Sequence, residues 1–232
     1  MALVKYGAGV IQMSGSIAGN TYARNRYGNY VRAKTKPINP NSVLQIAARA
    51  AVSFLTTYWA QTLTPVQRTA WNLYASSVAM KNKLGETVYL TGANHFVRSN
   101  AILQANGLSI VADAPTVFEL PEHDSLFAIT VSEATQKIAV VFDDGADWDN
   151  ETGGFLHLYQ GQPQNAQRNF FAGPWKYCDS IVGVTGTPEA SPYEATCVMA
   201  CTEGQKLFFY GRIQRADGRL SEAFTASCFC AA

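Results

Sequence analysis

The sequence predicts an α+β chain in successive parts: an extended basic N-terminal arm, a three-helix segment and a C-terminal all-β sandwich. Three observations predict it. Charge divides sharply along the chain, the apolar period changes from helical to two near residue 115, and a proline-bracketed stretch separates the two regimes. The parts are residues 1–40 (arm), 41–111 (helices), 112–121 (linker) and 122–232 (β domain).

The 232 residues carry 18 Lys+Arg and 17 Asp+Glu, a net charge of +1. Residues 1–114 hold 11 basic residues against Glu86 and Asp113, a net of +9, whereas residues 115–232 hold 7 against 15 acids, a net of −8. Opposed halves of this kind point to an interaction role. Hydrophobic residues make up 47% of the chain, enough for packed cores, and no apolar run approaches the ~18 residues that cross a bilayer. Residues 1–10, with Lys5 followed by Gly7 and Gly9, lack a signal-peptide layout. The expectation is a soluble protein made in a cytoplasm, with no membrane partner.

In the arm, glycines at 7, 9, 15, 19 and 28 discourage helix. Arg24, Arg26, Tyr30, Arg32, Lys34 and Lys36 all occupy even positions. On one extended strand they line a single face, and these six are the predicted partner-binding residues. A turn at Tyr27-Gly28-Asn29 would change that alignment. Pro37 and Pro40 stiffen the exit.

Three helices follow. The first begins at an Asn41-Ser42 cap, carries Val43, Ile46, Ala47, Ala50, Phe54 and Tyr58 as its apolar stripe, and stops near Leu63 before Pro65. In the second, Thr64 is the cap, Pro65 the first helical residue and Gln67 the partner in a capping box. Val66, Ala70, Leu73, Tyr74 and Ser77 form its inner face, with Trp71 flanking it. Residues 87–90 read as a short strand. The third helix starts at Thr91, buries Phe96, Val97 and Leu103, and ends at Asn106-Gly107. These apolar faces are thin, so part of the segment is expected to pack on a partner.

Beyond residue 115, seven segments alternate with period two: 126–131, 137–142, 155–160, 176–184, 193–200, 206–215 and 220–229. Asp217-Gly218 is a hairpin turn between the last two. Seven short strands in this length suit a sandwich of immunoglobulin-like size. Residues 208–224 resemble the last hairpin of a fibronectin type III domain.

Chemistry-bearing motifs are sparse. Cys178, Cys197, Cys201, Cys228 and Cys230 include no C-x-x-C and are expected to be reduced small hydrophobes. His95, His123 and His157 offer no metal-ligand spacing. Phosphate loops, nucleophile elbows and dinucleotide fingerprints are all missing. Asp143, Asp144, Asp147, Asp149 and Glu151 cluster around Trp148 but depart from the calcium-loop pattern, and a solvated inter-strand loop is the preferred account. No catalytic, cofactor or metal residue is assigned, and the chain is expected not to be an enzyme. Arg and Lys interleaved with Tyr22, Tyr27 and Tyr30 suit either nucleic acid or an acidic protein surface. No nucleic-acid-binding fold accompanies them, so protein contact ranks first.

A set of front-half segments carries a resemblance. They are residues 14–19 (SGSIAG), 21–26 (TYARNR) and 28–32 (GNYVR) with 37–40 (PINP), then Gln45 and Arg49 on a helix, residues 63–71 (LTPVQRTAW) and residues 92–100 (GANHFVRSN). Together they resemble a group of tailed-bacteriophage and prophage virion structural proteins. The resemblance implies a particle component assembled in a host cytoplasm. Its partners would be other virion proteins, of shell or tail, and copies of itself. A capsid decoration or cement role is the first expectation, and a tail or baseplate role the second. A module recognising a host glycan or receptor through the β domain, on a platform including Trp148 or Trp175, is the alternative from another class.

Overall fold

The structure, a computed structural model, describes residues 2–7, 9–25, 28–36, 38–81 and 87–232. Arg26, Tyr27, Pro37 and Glu86 lie outside the described residues. The chain forms two compact units, residues 1–45 and 46–232.

The first unit is a four-stranded antiparallel sheet. Its strands are β1 (Ala2–Leu3), β2 (Gly15–Ile17), β3 (Asn20–Asn25) and β4 (Gly28–Ala33), in the order β1-β4-β3-β2. The backbone is extended, as the glycine content implies, but it folds back on itself, which pairs N–H and C=O groups that an open arm would leave to solvent. The Ser16 and Thr21 hydroxyls meet across β2 and β3 at 3.0 Å.

This reversal changes which side chains share a face. The β3–β4 register sets Arg24 opposite Asn29, Ala23 opposite Tyr30 and Thr21 opposite Arg32. Directly opposed residues lie on one face of a sheet. Arg24 therefore lies on the face opposite to Tyr30 and Arg32, and the single-faced row expected from even positions does not form. Lys34 and Lys36 follow β4 outside the strands and are exposed.

In the helical segment, α1 spans Val43–Gln61, α2 Pro65–Ser77 and α3 Gly92–Ala105, with a two-stranded ribbon of β5 (Met80–Lys81) and β6 (Thr87–Val88) between α2 and α3. The expected caps of α2 and α3 form. Thr64 Oγ1 accepts the Gln67 N–H at 3.2 Å while Gln67 Oε1 accepts the Thr64 N–H at 2.9 Å. Thr91 Oγ1 accepts the Asn94 N–H at 3.3 Å. The helices meet around Leu55, Leu63, Trp71, Tyr74, Val78 and Phe96.

Two helix faces differ from expectation. On α1 the buried residues are Ala51 and Leu55, while Val43, Ile46 and Phe54 are exposed. On α2, Trp71 is at the centre of the core rather than its flank, and Val66 and Leu73 are exposed. The Trp71 indole N–H donates to the Ala112 carbonyl at 2.9 Å. Asn100 clamps Val111, donating to its carbonyl at 3.1 Å and accepting its N–H at 2.8 Å. Residues 110–114 thus lie against the helices.

The C-terminal half holds the seven strands that the period predicts: β7 (Ala128–Ser132), β8 (Lys137–Val141), β9 (Phe155–Gly161), β10 (Trp175–Val182), β11 (Tyr193–Thr196), β12 (Lys206–Gln214) and β13 (Phe224–Ala231). The strands run in one hydrogen-bonded order, β10-β9-β12-β13-β7-β8-β11. Every pairing is antiparallel except β13 with β7, a parallel seam of two residue pairs, Cys230 with Val131 and Ala231 with Ser132. The end strands approach each other, and Tyr193 of β11 donates its hydroxyl to Asp179 of β10 at 3.0 Å. The sheet is therefore curled close to a barrel, around a core that includes Val131, Ile138, Val140, Leu156, Leu158, Leu207 and Phe209.

Helix α3 covers one end of the outward face of β9 and β12. Gln214 donates its side-chain amide to the Ser99 carbonyl at 3.0 Å. Arg98 donates to the carbonyls of Leu220 and Ser221 at 2.6 and 2.7 Å.

Candidate functional site

Two surfaces stand out. The first belongs to the front of the chain. None of the residues from 2 to 50 whose exposure is described is buried. The first acid in the sequence is Glu86, and ten Lys or Arg precede it. Arg24, Arg32, Lys34 and Lys36 are exposed and Tyr30 is half-buried; Arg24 reaches Gln12 Oε1 at 3.4 Å. Among the described residues, the ion pairs lie between positions 137 and 219. Next along the sequence comes the apolar front of α1, where Val43 is 81% exposed, Leu44 67% and Ile46 54%. Arg49 is the one charged residue on that helix.

The second surface is the part of the outward β10-β9-β12 face that α3 leaves open. Burial alternates along β12, so Lys206, Phe208, Tyr210 and Arg212 point outward. Tyr210 stacks on Tyr159 of β9 at 4.3 Å and meets Trp175 of β10 edge-on at 5.0 Å. Phe171 extends the row, 4.9 Å from Trp175 and 5.8 Å from Phe208. The Arg212 guanidinium lies over Tyr210 and the Lys206 ammonium over Phe208. These rings are half-buried, and Phe170 and Phe229 beside them are exposed. Aromatic and Arg side chains in this density are the composition of binding hot spots. Trp175 belongs to this face; Trp148 does not, being 2% exposed against Phe142.

Several titratable groups are buried, and neither ring nitrogen of His95 nor Asp149 Oδ2 has a hydrogen-bond partner among the described residues. His157 is fully buried, with Nδ1 2.5 Å from Ser180 Oγ and Nε2 2.9 Å from Gln214 Oε1. Burial holds its pKa down to about 4, against the support of the Gln214 bond. His95 is also buried, and desolvation, then the Arg98 charge, lower it to about 4. A cleft of about 430 Å³ brings His123, Asp124 and Ser125 together, but Asp124 accepts the N–H groups of Leu126 and Asp143 at 2.7 and 2.8 Å and is not free to orient a base. Four of the five carboxylates of the Asp143–Glu151 loop have partners within the chain. Asp143 accepts the Gly145 N–H at 3.0 Å, Asp147 and Glu151 pair with Arg215, and the buried Asp149 accepts the Glu189 N–H at 3.3 Å. Among the described residues no group of three or more His, Cys, Asp or Glu is placed to hold a metal ion, and no helix is long and apolar enough to cross a membrane.

Comparison with family models, with curated proteins and with solved structures finds no match to this chain. The aromatic face was not singled out from the sequence as a whole, although its signal was there: Phe208 and Tyr210, like Trp175 and Tyr177, share one strand parity.

Proposed function

We propose that the chain is a structural component of a tailed-phage virion, docked on the particle through its basic N-terminal sheet and the front of α1. A capsid decoration or cement role ranks first and a tail or baseplate role second. The observation that carries this reading is the absence of any buried residue among the described side chains of the N-terminal sheet, in a unit whose 45 residues carry six Lys or Arg and no acid. Such a unit gains little from its own packing, and ordering it costs roughly 1–2 kcal/mol per residue, so an acidic partner surface is the natural source of its stability. The partners are other virion proteins and further copies of this chain. The C-terminal half would be the outward, acidic part, an immunoglobulin-like sandwich in which β10-β9-β12-β13 and β7-β8-β11 are the two layers, joined at one edge by the short parallel seam.

The test is quantitative mass spectrometry of gradient-purified particles from cells that produce this chain. The full chain is expected in them at a stoichiometric ratio to a shell or tail subunit, and a version lacking residues 1–42 is expected to be missing. Absence of the full chain from the particles overturns the reading.

The aromatic face favours a second reading, a module that binds a surface glycan or receptor. Cell-binding of the full chain that is lost in Trp175→Ala or Tyr210→Ala would select it; equal binding by both variants would remove it.

A further inference from the structure

We propose that Cys201 and Cys230 form a covalent cross-linking site, two thiols that a small-molecule disulfide such as oxidised glutathione converts into one intrachain bond. Their sulfurs lie 3.2 Å apart, and the side chains are 2% and 3% exposed. A disulfide needs ~2.05 Å, so closure asks for about 1 Å of side-chain movement. Both backbones are held in place while that happens. The Cys201 N–H donates to Gln136 Oε1 at 3.1 Å and its carbonyl accepts from Gln136 Nε2 at 2.9 Å. The Cys230 N–H donates to the Gln205 carbonyl at 2.9 Å, and its own carbonyl accepts the Gly204 N–H at 3.0 Å.

The location gives the bond a consequence. Cys230 is half of the two-pair parallel seam between β13 and β7. Cys201 lies in the segment before β12, which Gln136 ties to the turn between β7 and β8. A bond between them fastens β13 to the β7–β8 turn by a second route and reinforces the weakest pairing in the sheet.

Burial pushes the Cys230 thiol up to about 12 and raises that of Cys201 as well, so exchange waits for a local opening that lets a thiol ionise. The Cys230 thiolate then attacks one sulfur of the reagent, releasing one reduced thiol and leaving a mixed disulfide. The Cys201 thiolate attacks Cys230 Sγ, the new S–S bond forms, and the second reduced thiol leaves. Two protein thiols are oxidised, one reagent disulfide is reduced, and the two protons end on the departing thiols. In a reducing cytosol the pair stays open; in an oxidising medium it closes.

The experiment uses the full chain, reduced, then incubated with oxidised glutathione in mild urea to permit opening. Free thiols counted after denaturation should fall from five to three, with a peptide map linking Cys201 to Cys230. The thermal midpoint should rise by about 5–10 °C and return on reduction. Cys201→Ser and Cys230→Ser should each abolish both effects, and Cys197→Ser should keep them. The unsubstituted chain decides the matter even if a variant folds badly. Five free thiols after treatment, a link through Cys178, Cys197 or Cys228, or a standing glutathione adduct on Cys230 overturns the proposal.

Discussion

Gln214 joins the His157 imidazole of β9 to the Ser99 carbonyl of α3, accepting from one and donating to the other at 2.9 and 3.0 Å. Its orientation fixes a direction for the whole chain of bonds. His157 Nε2 donates to Gln214, so Nδ1 accepts from the Ser180 hydroxyl, and Ser180 in turn accepts from Tyr177 at 2.7 Å. The neutral imidazole satisfies every member. A second proton on His157 would require the Ser180 and Tyr177 hydroxyls to turn, on top of the cost of charging a buried ring.

That relay makes stability depend on pH. The pKa of His157 is lower in the folded chain, about 4, than its ordinary 6.5, so the unfolded state takes up the proton first. Its contribution is complete above pH 6.5 and is lost as pH falls toward 4, by up to about 3 kcal/mol. Urea titrations at pH 7 and pH 4.5 should show this loss. In His157→Gln the difference between the two pH values should shrink by a comparable amount, while stability at pH 7 falls by about 1–2 kcal/mol. An unchanged pH difference in the variant would exclude His157 as the source.

Arg98 should be among the costliest side chains to remove. Its guanidinium stays charged at neutral pH even though burial, and then Arg212, lower its pKa to about 10. Arg98→Ala leaves the Leu220 and Ser221 carbonyls without their donors beneath α3. A loss of about 2–4 kcal/mol in urea-induced unfolding is expected. A loss under about 1 kcal/mol would mean that α3 is held mainly by its apolar contacts.

What the sequence discloses depends on the range of the interaction. The seven strands and the Thr64 and Thr91 caps are legible because alternation and capping are written within a few residues. The buried face of α1 was misjudged because that helix carries a single charge, so the row through Val43, Ile46 and Phe54 and the row through Ala51 and Leu55 are equally apolar at helical spacing. The side of the sheet that holds Arg24 depends on where the chain turns, since one reversal between paired positions of unlike parity exchanges the faces. Bonds such as Gln214 to Ser99, 115 positions apart, leave no local trace. The two candidate surfaces divide along the same line: the basic front is written in composition, whereas the aromatic face needs three strands brought side by side.

Neighbouring residues on α1 should therefore respond in opposite ways. Phe54→Asp, at a position 46% exposed, should change the stability of the isolated chain by about 0.5 kcal/mol or less, yet reduce incorporation into particles. Leu55→Asp, at a position with no exposure, should cost about 4 kcal/mol or more and prevent cooperative melting of the helices. Thermal melts alongside particle incorporation separate the two. Equal incorporation of Phe54→Asp and the unsubstituted chain would exclude Phe54 from the proposed docking surface.

Deleting residues 1–42 should leave the melting midpoint of the remainder within about 2 °C, because none of that stretch's described side chains is buried. Scanning calorimetry on both lengths is the check. A fall of about 10 °C would show that the N-terminal sheet supports the second unit directly.

The β3–β4 hairpin gives the positive sheet two working sides. A ribbon charged along one edge can coat a surface; one with Arg24 on one face and Arg32 on the other can also sit between two. Each exposed charge contact holds weakly, but a copy gripped from both sides leaves only when both grips fail together, and the intact grip keeps the freed face close enough to rebind. Under the proposed docking, residence would depend on how many neighbours surround the copy more than on the strength of any one contact, the behaviour of mortar rather than of paint.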